Sequence, residues 1–195
     1  MTVTVGPIPR DEIDAALADV ARLRISVFRA FPYLYDGDPA YEERYLAAYR
    51  ESPDAVIVGA RDGDRLIGAA TGAPMEDHAA EFGAAFAETD LDPRDVFYCA
   101  ESVLLSAYRG RGIGHAFFDH REDRARALGR RYCCFCSVIR PATHPARPAG
   151  YASLEPFWRK RGYEPIDGVI ARFAWRDIGD TAETQKPLQF WLRKL

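Results

Sequence analysis

The chain has 195 residues, 48% of them hydrophobic, and a formal net charge of −3. That length can bury a core without metals or disulfides and implies one domain over residues 1–195. The mild acidity argues against nucleic-acid binding, and no apolar run approaches the ~18 residues of a membrane-spanning helix. The start, MTVTVGPIPRDEID, lacks the basic and apolar regions of a signal peptide, so the cytoplasm is the expected compartment.

In chain order, Thr2 to Val5 alternates as a short strand, broken by Gly6-Pro7 and Pro9. From Asp11, the expected cap, Ile13, Leu17, Val20, Val27, Phe28 and Phe31 fall at helical spacing until Pro32 ends the run. Asp36-Gly37-Asp38-Pro39 reads as a turn, and Tyr41, Tyr45, Leu46 and Tyr49 predict a second helix. Ala55 to Ala60 and Leu66 to Thr71 predict two hairpin strands joined at Asp62-Gly63-Asp64, the second stopping at Pro74. Glu76 to Asp95 is acidic and alanine-rich, with Phe82 and Phe86 four apart. It predicts a helix, either covering a cleft or lying on the surface, followed by a loop at Asp90 to Pro93.

The chain is organised around Val96 to Gly129. Phe97, Cys99, Val103, Leu104 and Leu105 predict one central strand, and a helix is expected from Gly112 or Ile113 to Gly129. A glycine-rich turn feeding a helix N-terminus binds anions: backbone N–H groups converge, the helix dipole is positive there, and glycine allows close approach. Arg109 and Arg111 add forked cations suited to phosphate. No Walker run is present, and the third glycine of a dinucleotide fingerprint falls on His115. What fits is Arg-x-x-Gly-x-Gly over Arg109 to Gly114. Set between a strand and a helix, it resembles the pyrophosphate-binding motif of the GNAT superfamily of N-acetyltransferases.

In the following helix Ile113, Ala116, Phe117, His120 and Leu128 form a stripe, which makes His120 a core histidine. Arg121, Arg124, Arg126, Arg130 and Arg131 predict a basic exposed side. It is either a solvated face balanced by Glu122 and Asp123 or a contact for the 3′-phosphate of coenzyme A. Arg131 to Ile139 (RYCCFCSVI) predicts a buried strand. Cys133 and Cys136 form a Cys-x-x-Cys pair, but three residues apart on a strand they face opposite ways, so no metal site is expected and the cysteines read as buried thiols. A proline-rich loop leads to Ser153, an expected N-cap, and to a short helix closed by Gly162. Phe157 to Tyr163 (FWRKRGY) resembles a second landmark of the same superfamily. Ile170 to Trp175 and Pro187 to Leu195 alternate as closing strands across a polar link, Arg176 to Lys186.

The resemblance implies an α/β (α+β) fold: a mixed six- or seven-stranded sheet flanked by helices, with splayed central strands. It implies acetyl-CoA as co-substrate. The strand Val103, Leu104, Leu105 would meet the pantetheine arm, an amide near Leu104 would polarise the thioester carbonyl, and Arg109, Gly110, Arg111, Gly112, Ile113 and Gly114 would hold the pyrophosphate. The expected reaction is direct attack by a primary amine of a small molecule or peptide in a ternary complex, with no nucleic-acid or membrane partner. Homodimers are frequent in the superfamily, and the apolar last strand with Phe190 and Trp191 is a candidate contact. Tyr33, Tyr35, Asp36 and Asp38 would give the acceptor side an aromatic, acidic rim, or else lie in a solvated turn.

For the base, Glu101 stands on the face of Val103 and Leu105. A charged residue in an apolar strand needs a water-lined cleft, which would tune it, or a structural arginine partner. For the acid the sequence departs from the superfamily: its usual tyrosine position holds Trp158, whose indole is too weak an acid. Tyr151 is the first substitute, with Tyr163 and water as others. The thiolate can also leave unprotonated, a thiol's pKa being near ~8.5. His144 reads as a loop-surface residue. A non-catalytic acyl-CoA-binding sensor or structural domain is the alternative.

Overall fold

A computed structural model describes residues 3–87 and 89–195; Thr2, assigned above to the first strand, lies outside them. Strand β1 (Val3–Pro7) runs antiparallel to β2 (Val56–Asp62), which returns through a tight turn as β3 (Arg65–Pro74). Between β1 and β2 come helices α1 (Ile13–Phe28) and α2 (Pro39–Glu51). The α1 stripe Ile13, Ala16, Val20, Leu23 is buried in the core above β3. Asp11 lies in a 3-10 turn, Arg10–Glu12, and caps nothing. The helix ends at Phe28 rather than at Pro32, because Tyr33 N–H turns back to the Ala30 carbonyl. Phe31 is thereby released from the helical stripe. The α2 cap is Asp38, whose carboxylate accepts from the Ala40 and Tyr41 amides.

Helix α3 (Ala79–Phe86) is not a plain surface helix. Phe82 and Phe86 are buried edge-on against Phe190, at ring distances of 5.2 and 4.7 Å.

The predicted central strand is two strands, β4 (Val96–Tyr98) and β5 (Ser102–Leu104), so the sheet has eight strands rather than six or seven. β4 pairs with β3 and runs parallel to β6 (Tyr132–Val138), whereas β5 pairs with β3. Past the break at Cys99–Glu101, β5 and β6 therefore diverge and open a gap in the sheet. Strands β7 (Glu164–Trp175) and β8 (Thr184–Lys194) complete the order β1-β2-β3-β4-β6-β8-β7. Both begin earlier than predicted. In β7 the register shifts between Pro165 and Ile170, which interrupts the period of two. β8 is internal, so Phe190 and Trp191 are buried within their own chain and are not free for a dimer contact.

The four cysteines are free and buried. Cys133 packs with Phe118 on one face of β6 and Cys136 with Phe190 on the other, as the strand period requires. No cluster of His, Cys, Asp or Glu among the described residues could hold a metal.

Helix α4 (Ile113–Ala127) buries Phe117, Arg121, Ala125 and Phe118, Glu122, a face turned by about one residue from the predicted stripe. His120 is half-buried instead of in the core, and Arg121, predicted on the solvent side, is 1% exposed. The break between β4 and β5 explains Arg121. Its guanidinium donates to the carbonyls of Glu101 (3.0 Å), Thr71 (3.2 Å) and Phe117 (3.1 Å) and to Ser102 Oγ (2.9 Å). It ties the helix that follows the glycine turn to the break that carries Glu101 and to the start of β5. Arg121→Leu leaves those acceptors short of donors in a buried place, a loss of about 3 kcal/mol. Thermal unfolding is expected to fall by about 10 °C; an unchanged midpoint would show that the clamp carries no stability.

Helix α5 (Glu155–Lys160) follows the proline-rich loop, with Ser153 Oγ accepting from the Glu155 amide at 3.1 Å.

Candidate active site

The turn between β5 and α4 leaves backbone amides without protein partners among the described residues. Gly110 and Gly112 have φ of +76° and +80°, a region that other residues enter at a cost, and Gly112 is the residue before the first helical turn. Among the described residues the amides of 110–114 donate to no protein acceptor; the first to do so is that of His115, to the Gly112 carbonyl at 2.9 Å. Arg109 and Gly110–Gly112 stand at the exposed end of the helix. Arg109 forms no ion pair among the described residues, and Arg111 donates to the Ala107 carbonyl at 3.0 Å while lying 5.1 Å from the Tyr108 ring. Free amides, a helix N-terminus and two arginines fit a pyrophosphate.

The turn leads into the gap beside β5. Leu105 N–H bonds to Ile67 and Glu101 C=O accepts from Thr71, both toward β3. Backbone direction alternates along a strand, so the polar groups of Ser102 and Leu104 face the gap. The Val103 side chain is buried toward α1, and Leu104 leans on Ile113 and Phe117 of α4.

On the α1–α2 side lies a cavity of about 100 Å³. Phe28, Tyr33, Tyr41, Tyr45, Phe173 and Trp175 form its aromatic wall, and Glu101 and Arg24 are its charged groups. Glu101 is 8% exposed. Its Oε2 accepts from Tyr45 Oη at 2.8 Å and pairs with Arg24 Nη1 at 2.8 Å, while its Oε1 is buried without a partner. Both readings of Glu101 thus meet in one residue: it has a structural arginine and it lines a cleft. Arg24 Nε also pairs with the fully buried Glu42, and the guanidinium lies 4.0 Å from the Tyr45 ring centre. Burial alone would lower the Arg24 cation, but Glu101, Tyr45 and Glu42 outweigh it and hold the group charged. Burial first, then the Glu101 charge, pushes the Tyr45 phenol far up, so it stays a donor. Neither Arg24 nor Glu42 was singled out from sequence. The signal was there: Val20, Arg24, Phe28 and Glu42, Leu46, Tyr49 put a charge on each core stripe.

Tyr33 and Tyr35 belong to the cavity wall. Asp36 instead pairs with Arg176 (2.8 Å) and Arg29 (3.4 Å) beside it. Arg140 locks this rim, forking onto Asp177 (2.7 and 2.9 Å) and onto the carbonyls of Pro32 (2.9 Å) and Tyr33 (2.8 Å).

Tyr151 is not brought to Glu101. It is half-buried in the proline-rich loop, edge-on to Phe31 at 4.7 Å and beneath Arg147, outside the cavity lining. Burial raises its pKa. Trp158 packs against Phe135 (5.0 Å) and Trp191 (5.2 Å), and Tyr163 donates to the buried Glu122 at 3.0 Å. His144 stays in the loop, its Nδ1 accepting from the Ala146 amide.

No helix of the described residues is long and apolar enough to cross a membrane. Curated proteins offer no significant sequence match. Among solved structures, the ribosomal-protein-alanine N-acetyltransferase from Brucella melitensis is similar at TM-score 0.60 and 14% identity, over 98% of this chain and 99% of that one. The polyamine N-acetyltransferase of Drosophila melanogaster is similar at TM-score 0.63 and 13% identity over 100% of both chains. PaiA N-acetyltransferase from Thermoplasma acidophilum, solved with coenzyme A, gives 0.54 and 13% over 100% of both. At these identities the likeness is one of fold. The sequence profile of the acetyltransferase (GNAT) family, however, matches residues 20–163, the span from the α1 stripe through the glycine turn to the end of the FWRKRGY segment. The chain therefore belongs to the GNAT acetyltransferase family and is an acyltransferase that uses acetyl-CoA.

Proposed function

We propose that the chain, working as one catalytic domain over residues 1–195, transfers acetyl from acetyl-CoA to a primary amine of a small molecule or peptide by direct attack in a ternary complex. The observation that carries this reading is the unpartnered Oε1 of Glu101, buried inside an aromatic cavity next to the gap between β5 and β6. Arg109, Arg111 and the amides of 110–114 hold the pyrophosphate, and the backbone of Val103, Leu104 and Leu105 lines the pantetheine arm. The Leu104 N–H polarises the thioester carbonyl. Glu101 Oε1 takes the proton shed by the attacking nitrogen. The N–C bond forms, the C–S bond breaks, and the electron pair leaves on sulfur. Four free thiols fit a reducing compartment such as the cytoplasm.

Tyr151 is the remaining candidate acid; it contacts neither Glu101 nor the cavity interior, which argues that the thiolate departs without it. Tyr151→Phe is expected to change kcat by less than about threefold, since a thiol's pKa near ~8.5 already makes thiolate a fair leaving group. A loss of about 100-fold, the scale of a removed general acid, would restore Tyr151 to that role. Trp158, turned into the core, favours a second reading, an acyl-CoA-binding domain without turnover. Calorimetric titration with acetyl-CoA, with ATP and NAD as controls, followed by thiol-release assays with an amine panel, separates the two. Both readings require binding; only the first requires amine-dependent thiol release.

A further inference from the structure

We infer that the acceptor is a primary amine on an aromatic body that carries no carboxylate, chosen by the ring-lined cavity and by the buried Glu42–Arg24–Glu101 triad behind it. The inference rests on reading the chain as an amine acetyltransferase and names the amine's class.

The charge argument comes first. Arg24 is the guanidinium of the inner cavity, and its charge is already more than balanced: Nε goes to Glu42, Nη1 to Glu101, and its face to Tyr45. Two carboxylates against one guanidinium leave a formal charge of −1. An amino acid placed with its amine at Glu101 would bring its own carboxylate against this surplus, with no free cation to meet it. The neighbouring outer chamber, about 200 Å³, shares Tyr35, Tyr41, Ala174 and Trp175 with the inner one. Its Arg176 is held by Asp36, and Arg44 faces solvent, where its field is screened. The ammonium of an arriving amine, by contrast, meets a net negative site and ring faces of negative quadrupole.

Shape excludes the polyamine. A chain with several cations needs a free carboxylate for each, and the inner cavity offers one free oxygen, Glu101 Oε1. At the mouth Asp36 is paired with arginines and Asp38 caps the α2 amides. Glu183 of the outer chamber is the one lining carboxylate there that neither pairs with a cation nor caps a helix among the described residues, so a triamine finds two free carboxylates for three charges. The walls fit a flat body instead. Tyr41 and Tyr45 are stacked, 6.3 Å apart at 16°, and Tyr33 and Trp175 are tilted, 6.0 Å apart at 31°, two ring pairs onto which another ring can pack offset or edge-on.

The test is a thiol-release panel with the full chain at saturating acetyl-CoA: 2-phenylethylamine, phenylalanine, spermidine and an alanine-initiated tripeptide. The kcat/KM for 2-phenylethylamine is expected to exceed each of the others by at least about tenfold. In Glu42→Gln the surplus charge is gone, and the preference for 2-phenylethylamine over phenylalanine is expected to narrow by about tenfold. Should that variant not fold, Tyr41→Ala, at a residue 38% exposed, tests the ring wall. It should raise the KM for 2-phenylethylamine by about fivefold and leave the KM for acetyl-CoA alone. A lead by phenylalanine, spermidine or the peptide overturns the inference while leaving amine acetylation standing. An unchanged preference in folded Glu42→Gln, or an unchanged KM in Tyr41→Ala, overturns the part assigned to that residue. Acetyl-CoA binding with no thiol release for any amine overturns the underlying reading.

Discussion

Gly112→Asp is expected to abolish acetyl-CoA binding while leaving the chain folded. Gly112 has φ +80°, and a Cβ built there meets nothing within 4 Å, so space is not the obstacle. Asp enters the left-handed region more readily than most residues, at a cost of about 1 kcal/mol. The new carboxylate would stand among the amides of 110–114, at the positive end of α4, where it can accept the N–H groups meant for phosphate. Self-occupation and like-charge repulsion act together, and a Kd weakened by at least about 100-fold is the expected reading. Gly112→Ala is the control: it meets the same backbone strain without the charge and should lose less than about tenfold. Calorimetry gives the affinities and thermal unfolding confirms the fold. Unchanged affinity in Gly112→Asp would move the pyrophosphate away from this turn.

Glu101→Gln carries the second large effect. The amide keeps an oxygen for Tyr45 to donate to and removes only the charge that faces Arg24 and the proton-accepting oxygen. Loss of a general base lowers rates by roughly 100- to 10,000-fold, so kcat is expected to fall by at least about 100-fold. The KM for acetyl-CoA should not change, because Glu101 faces the acceptor cavity and not the glycine turn. Arg24 keeps Glu42 as a partner, which limits the structural cost. Glu101→Asp, with the charge retained one methylene further back, should recover part of the rate. A kcat within threefold of wild type in a folded Glu101→Gln would leave Glu101 a purely structural ion-pair partner.

The triad behind Glu101 also explains why the site was only half legible. Arg109 to Gly114 was readable because its chemistry is local: glycine φ values, a helix start and two arginines are consecutive in the chain. The cavity proposed for the acceptor is assembled from α1, α2, the break after β4, β6 and the two last strands, and no local pattern joins them. Arg121 was read as solvent-facing because the helical stripe was placed about one residue off. Its burial follows from carbonyls that a broken strand presents; Glu101-Ser102 interrupts the apolar run Phe97 to Leu105, but side-chain type alone does not tell a break from a polar residue within one strand.

By itself the sequence determined the hairpin of β2 and β3, the helices α1, α2 and α4, the opposite faces of Cys133 and Cys136, and the glycine turn that opens α4. Each follows from side-chain period, capping or glycine backbone freedom over a few residues. Tertiary structure alone decided the split of the central strand, the eight-stranded count, the burial of Phe190 and Trp191 inside the sheet, and the packing of Tyr151 against Phe31. It also decided that Glu101 would share Arg24 with Glu42. These depend on which distant carbonyls and charges must be satisfied once buried, and that demand exists only when the elements have packed.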